Sequence, residues 1–486
     1  MQNLIGEVKK METMGNLLIL FPASLCLFLF VALLNVFYKY WWIPHRKRNH
    51  FLSGKTYLSW NGVRALLLIT DPDMVNEVLK NSEKAFRKPK ASYFFDKLLG
   101  DGLGSTESEK WARLRKLAYY AFHGESLKVN HRHSADEMYE RFMLLLFSCL
   151  LVTWNIYKLD TFLQNMIPAV VASVETMLEK WKSKEGKEIE VFQEFRLLTS
   201  EVISRTAFGS SYLEGEKIFD MLMKLTVIAG RNIYKAEIPI IRLLKKREAK
   251  VVTGEADNFG RDFLGLLVNA YHEADEKNRL SIQDLVDECK TFYFAGQETV
   301  NSLLTWATLL LAIHTDWQDK ARAEVIEVFD NQNPDSEGMA KLKTISMVIN
   351  ETLRLYPPIS GVIREVRLGT LVLPTHSEVD MRIIALHHDP DLWGDDVDLF
   401  KPERFADVIA EATKYNAATF MPFGLGPRSC VGMSFTIIQA KIALSMILQR
   451  YTINLSPSYV HAALQRLTLK LQHGIQLLFH SLCYDA

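Results

Sequence analysis

Cysteine is scarce in this chain: five in 486 residues, namely Cys26, Cys149, Cys289, Cys430 and Cys483. They form no Cys-x-x-Cys pair and no spacing of a disulfide framework, which fits a reducing compartment. Net charge is also missing, with 57 basic against 57 acidic residues. Without a basic footprint there is no case for a nucleic-acid partner. The length would allow several domains, yet no Gly/Ser/Pro-rich linker, repeat or low-complexity tract divides the chain. No glycine motif of the Rossmann type occurs, so the chain is not expected to take hydride from a nicotinamide itself. Strand-like runs are few and short, such as 65–70 and 370–374, while helical periodicity dominates from about residue 166 onward.

Against that background, residues 423–432 read FGLGPRSCVG. Cys430 is a lone thiol in a loop opened by Gly424, Gly426 and Gly432, directly before an apolar helical pattern that starts near Met433. Glycines let backbone N–H groups approach a sulfur closely. Donors at a helix N-terminus favour the thiolate. A single thiolate on iron is how a haem is held when electron density must be pushed toward oxygen. The bland alternative makes Cys430 a small buried hydrophobe, but three glycines, a proline and an arginine are poor core material.

Four further patterns accompany it. Glu351 and Arg354 stand at i and i+3 on one helix face, suited to a buried bidentate pair; Tyr356, Pro357 and Pro358 then stop the helix, and FKPERF, containing Arg404, follows at 400–405. Residues 294–299, FAGQET, lie inside a long apolar periodic stretch from about 285 to 313. An Ala295–Gly296 pair costs helix propensity there, and Thr299 can bond a carbonyl one turn back, which bends helices; by itself this reads as a helix with a packing glycine. Trp111 and Arg115 set an indole donor and a guanidinium one turn apart. Arg364 and Arg428 are further cations near these patterns, although any one arginine is more often a solvated surface charge.

In their order along the chain, these segments resemble the signatures of the cytochrome P450 family. The spelling around Trp111, Ala295–Thr299, the run ALHHDPDLWG at 385–394 and the cysteine loop is similar to the plant microsomal clan of cytokinin hydroxylase, secologanin synthase and triterpenoid oxidases. The resemblance implies a mainly α fold with a small β region, preceded by one N-terminal transmembrane helix. It implies haem b with Cys430 as axial ligand and metal ligand, framed by Phe423 and Gly424. Trp111, Arg115, Arg364 and Arg428 would meet the propionates, and Glu351, Arg354 and Arg404 would hold the scaffold behind the haem. A widened turn at Ala295 and Gly296 would admit dioxygen, with Glu298 and Thr299 as the proton relay. The activity implied is monooxygenation of a hydrophobic small molecule, such as a terpenoid or hormone. Electrons would come from NADPH through a separate membrane-bound reductase.

The first half carries the remaining expectations. No charge occurs from 13 to 38, and 17–34 is nearly all Leu, Phe, Ala and Val, long enough to cross a bilayer. Lys39, Arg46, Lys47 and Arg48 outweigh Lys9 and Lys10 as flanks, which keeps the following domain cytosolic. The expected organisation is an anchor at 1–40 in the endoplasmic reticulum membrane, a truncated hinge at 41–56 and a catalytic domain at 57–486. Compared with the resembling clan, the hinge is short, a helix is missing after Ile241, and 129–165 is an anomalous insertion with an uncharged run at 142–157. We read that segment as translated non-coding sequence and the two shortfalls as skipped exons. The alternative function is a haem-binding or misfolded product without turnover, because the N-terminal half is incomplete.

Overall fold

The computed structural model describes residues 52–53, 56–61, 64–80, 86–89, 99–123, 166–209, 262–273, 279–366, 378–465 and 468–482. The expected anchor, most of the hinge, the insertion, the junction after Ile241 and the run 370–374 lie outside the described residues. Among the described residues, no helix is long and apolar enough to cross a membrane.

The architecture is mainly helical with a small sheet region, as expected. The helices that position the site are α1 (Pro72–Lys80), α2 (Ser108–His123), α3 (Val191–Phe208), α4 (Phe263–Tyr271), α5 (Ile282–Ile313), α6 (Thr315–Phe329), α7 (Lys343–Leu355), α8 (Ile383–His387) and α9 (Met433–Arg450). Strands β1 (Leu52–Ser53), β2 (Thr56–Asn61), β3 (Arg64–Ile69), β4 (Phe86–Arg87), β6 (Val362–Val366) and β7 (Glu378–Met381) form one sheet in the order β1-β2-β3-β7-β6-β4. Its β3–β7 pair is parallel and the rest antiparallel. Strands β5 (Glu188–Glu190), β8 (Tyr451–Leu455) and β11 (Gln476–Ser481) make a three-stranded sheet, and β9 (Ala463–Gln465) pairs with β10 (Leu469–Leu471).

Helix α5 is the axis of the molecule. Its 32 residues span about 48 Å at 1.5 Å per residue. Ser281 caps it: the hydroxyl accepts from Asp284 N at 3.1 Å, and the Asp284 carboxylate accepts from Ser281 N at 2.9 Å. That reciprocal box satisfies donors a helix start otherwise leaves bare. Buried residues lie on nearly every side of α5, the mark of a helix inside a core. Around it Phe122, Phe263 and Phe292 meet with ring centroids 4.1 to 6.1 Å apart, and Trp306 stacks on Tyr356 at 3.8 Å.

The loop before α2 is docked on α5 through two acids. Asp101 N donates to Asp287 at 3.1 Å, and Leu103 N donates to Glu288, whose carboxyl burial pushes up to about 8. This docking fixes where α2, with Trp111 and Arg115, meets the rest of the site.

Candidate functional site

The cysteine loop is shaped by contacts that exclude side chains. Gly426 has φ +76, and a Cβ there would lie 2.6 Å from the carbonyl oxygen of Leu79 on α1. Gly424 has φ +71, a conformation that costs glycine nothing. Phe423 O accepts from Cys430 N at 2.8 Å, closing the loop on itself. Cys430 is exposed, although the surrounding protein desolvates its thiol. The other cysteine among the described residues, Cys289, is buried in α5.

Gly432 begins α9 without a side-chain cap, which leaves first-turn amides free to face the sulfur. Burial raises the Cys430 thiol above its ordinary pKa; the Gly432 N–H and the nearby Arg115 guanidinium pull the other way. Burial therefore outweighs the donors on which the expectation of a ready thiolate rested. A coordinating cation deprotonates a thiol outright, so a metal bound there would supply the thiolate that burial opposes.

Behind the loop the expected ion set is assembled. Arg354 is fully buried and grips Glu351 with two bonds of 2.7 Å, from Nε and from the terminal nitrogen. Arg404 Nε lies 3.6 Å from the same carboxylate, and a terminal nitrogen of Arg404 donates to the Trp393 carbonyl at 3.0 Å. Lys401 N also donates to Glu351 at 2.9 Å. A buried charge set of this kind stands only when every member is bonded.

Cations crowd the side facing α2. Arg115 donates to Ser429 O at 2.7 Å, next to Cys430. Arg428 stacks over the Trp111 ring at 4.5 Å, donates to Thr106 O at 3.2 Å and lies 3.7 Å from Glu107. Arg364 is buried, its guanidinium pulled down to about 10 by burial and the nearby Arg428. Lys88 was not among the sequence candidates; burial, then Arg428 and Arg364, pull it down to about 7. No motif flags a lysine between β4 and α2, and only the fold sets it beside arginines from distant segments. A cleft of about 370 Å³ lined by Arg87, Glu107, Trp111 and Arg428 opens alongside.

On α5 the expected relay divides. Ala295 is exposed and Phe294, Gly296 and Thr299 are partly so, a break in an otherwise buried stretch. Instead of a break in the helix, Thr299 Oγ1 donates to Ala295 O at 2.6 Å. Gly296 packs on α3: a Cβ there would lie 2.8 Å from Ile203 Cδ1, so its missing side chain serves helix packing. Glu298 is buried, ion-paired with Lys470 of β10 and 3.5 Å from the Thr468 hydroxyl.

These residues fit a haem. Lys88 feels three other cations, Arg115, Arg364 and Arg428, against one carboxylate, Glu107, and Arg364 Nε is buried with no hydrogen-bond partner among the described residues. Two propionates would match that surplus, beside a sulfur with its own amide donor. Fold and site thus define a haem-thiolate class of protein.

The family model for cytochrome P450 matches residues 235–479. The chain is 48% identical over 468 residues to cytochrome P450 CYP749A22 of Panax ginseng, covering 90% of this chain and 82% of that one. It is 38% identical over 465 residues to 11-oxo-beta-amyrin 30-oxidase of Medicago truncatula (88% and 81% covered). It is 35% identical over 480 residues to 7-deoxyloganic acid hydroxylase of Catharanthus roseus (90% and 84%). Among solved structures, retinoic acid bound cyanobacterial CYP120A1 superposes with a TM-score of 0.70 at 21% identity, over 90% of this chain and 94% of that one, a likeness of fold. The chain belongs to the cytochrome P450 monooxygenase family, whose members act through cysteine-ligated haem iron on hydrophobic small molecules.

Proposed function

We propose that this chain hydroxylates a hydrophobic small molecule of terpenoid or hormone type, with Cys430 as the residue whose sulfur would hold the haem iron. The observation that carries the reading is the Cys430 sulfur with the Gly432 amide on it and Arg115 beside it. Relatives named as an 11-oxo-beta-amyrin oxidase and a 7-deoxyloganic acid hydroxylase support the substrate class.

The haem, when bound, supplies the activation of O2 and the oxidising equivalent. The chain's own residues do the rest. Gly432 N–H and Arg115 stabilise negative charge on the Cys430 sulfur. Lys88, Arg115, Arg364 and Arg428 would hold the propionates, and Trp111 stacks on Arg428 and orients its guanidinium. Thr299 presents its hydroxyl at the exposed face of α5 and holds a proton there. Glu298 is held in its ion pair with the partly exposed Lys470, and it would have to leave that pair to replenish the hydroxyl. Ala295 and Gly296 present no bulk beside that hydroxyl.

Electrons come from NADPH through a separate flavoprotein reductase, since the chain has no dinucleotide motif. The segment 1–40 anchors the protein once in the endoplasmic reticulum membrane with the catalytic domain cytosolic; its uncharged run and heavier C-terminal basic flank support this. The segment 129–165 is translated non-coding sequence, and a transcript that encodes it without interruption would remove that statement. The functional reading is tested by expressing the chain in microsomes with a reductase. Expected are a thiolate-type carbon-monoxide band and NADPH-dependent loss of a terpenoid from a metabolite screen. A band without turnover of any candidate would reduce the protein to a haem binder.

A further inference from the structure

Between the buried ion set and the cysteine loop stands a histidine of the run 385–394 to which no role has yet been given. His387 closes α8 and is fully buried. Burial pulls its imidazole down to about 3, so the ring is neutral under ordinary conditions. A neutral imidazole has one N–H and one lone-pair nitrogen, and its neighbours decide which is which. Nδ1 lies 3.1 Å from the Arg354 carbonyl oxygen, which can only accept. Nε2 lies 3.2 Å from the Met421 amide, which can only donate. The hydrogen therefore sits on Nδ1 and the lone pair on Nε2.

Both ends of this strut are themselves tied down. The Arg354 guanidinium is bidentate on Glu351 and also donates to the His387 carbonyl at 2.9 Å. The carbonyl of Met421 accepts from Gly424 N at 2.9 Å, and the carbonyl of Phe423 accepts from Cys430 N at 2.8 Å. Phe420 lies against the imidazole with centroids 5.3 Å apart, which blocks rotation of the ring. Every bond from Glu351 to the cysteine amide is thus either covalent or a hydrogen bond to a partner with one possible role.

We propose that His387, held as a single tautomer, is a positioning residue that ties Met421 to the Arg354 carbonyl and so transmits the fixed ion set to the loop presenting Cys430. The proposal rests on Cys430 being the axial ligand and goes beyond it, since it assigns a function to a residue outside the haem-facing surface.

Two substitutions in the full chain separate the two ends of the ring. In His387→Gln the longer amide reaches the Nε2 position and its oxygen can accept from Met421. In His387→Asn the shorter amide reaches only the Nδ1 position and can donate to Arg354 O, which leaves the Met421 N–H unpaired. Amide exchange at Met421 should quicken about tenfold in the Asn variant, the scale of one lost hydrogen bond, and stay near wild type in the Gln variant. The carbon-monoxide complex should shift from the thiolate to the thiol band in the Asn variant and keep the thiolate band in the Gln variant. An Asn variant with wild-type Met421 protection and a full thiolate band overturns the proposal. So does equal damage in both variants, which would make His387 a packing residue. A wild type without the thiolate band would overturn the Cys430 reading itself, a result distinct from these because they all require the band in the wild type.

Discussion

On the Cys430 side of the site the chain is pinned from several distant segments, whereas on the other side the Thr299 hydroxyl is held within its own helix. The cysteine loop rests on α1 through Gly426, on α8 through His387 and on α2 through Arg115, with the Glu351–Arg354–Arg404 set behind it. Among the described residues, the Thr299 hydroxyl bonds within its own helix, to Ala295 O. A metal ligand must hold one atom at one place, and fully bonded buried charge gives that rigidity. A surface that receives a substrate gains from having few fixed contacts. The stiff side is also the costly one, because a buried ion set tolerates no missing member.

The largest blow to the stiff side is Arg354→Ala. It strands the Glu351 carboxylate without its bidentate partner, a loss of about 3–5 kcal/mol for a broken buried pair. Urea unfolding should register that drop together with poor haem loading; unchanged stability would mean the ion set is dispensable. Cys430→Ser should leave the ion set in place while removing the thiolate carbon-monoxide band, since a hydroxyl is a far less acidic ligand. A retained band would assign the ligand elsewhere.

The Thr299 side should respond in chemistry and not in stability. Thr299→Ala is expected to keep haem and fold but to consume NADPH with release of peroxide, the product rate falling about 10²–10⁴-fold for a missing proton donor. Equal product per NADPH in wild type and variant would remove the hydroxyl from the mechanism. Gly296→Ala tests the helix behind it: the new methyl meets Ile203, and overpacking costs about 1–3 kcal/mol. Ile203→Val should recover part of that loss if the contact at 2.8 Å is its cause.

A pH-dependent effect belongs to the cations around Arg428. Lys88 titrates near 7 in the folded chain against an ordinary 10.5. Between those values the unfolded chain holds a proton that the folded chain has lost, so stability rises with pH across the window. Below 7 the ammonium is charged in both states and its burial penalty is felt in full. Lys88→Met should flatten this rise in unfolding curves of the haem-free chain, and haem loading should flatten it in the wild type. An identical slope in all three would separate Lys88 from the propionate site.

The stiff side was largely legible in the sequence, and the reason is local. Glu351 and Arg354 are three residues apart, and the glycines around Cys430 fall within one loop, so backbone geometry alone ties them to one another. Thr299 and Ala295 were legible for the same reason, one helical turn apart. What escaped was pairing across the chain. Lys88 and Lys470 belong to no motif, and Glu298, read as the acid beside Thr299, is drawn by Lys470 into the core. The glycine at 296 reads as room for dioxygen in the family pattern, but its near neighbour is Ile203 of another helix.

By itself, then, the sequence determined the family and the mainly helical class, because short-range spacing constrains a loop or a helix face wherever it occurs. Tertiary structure alone decided which cations crowd around Lys88, which way Glu298 turns and that His387 lies between the Arg354 carbonyl and the Met421 amide. Those are contacts between segments far apart in the chain, and a buried charge or imidazole takes its state from whatever atoms the fold brings against it.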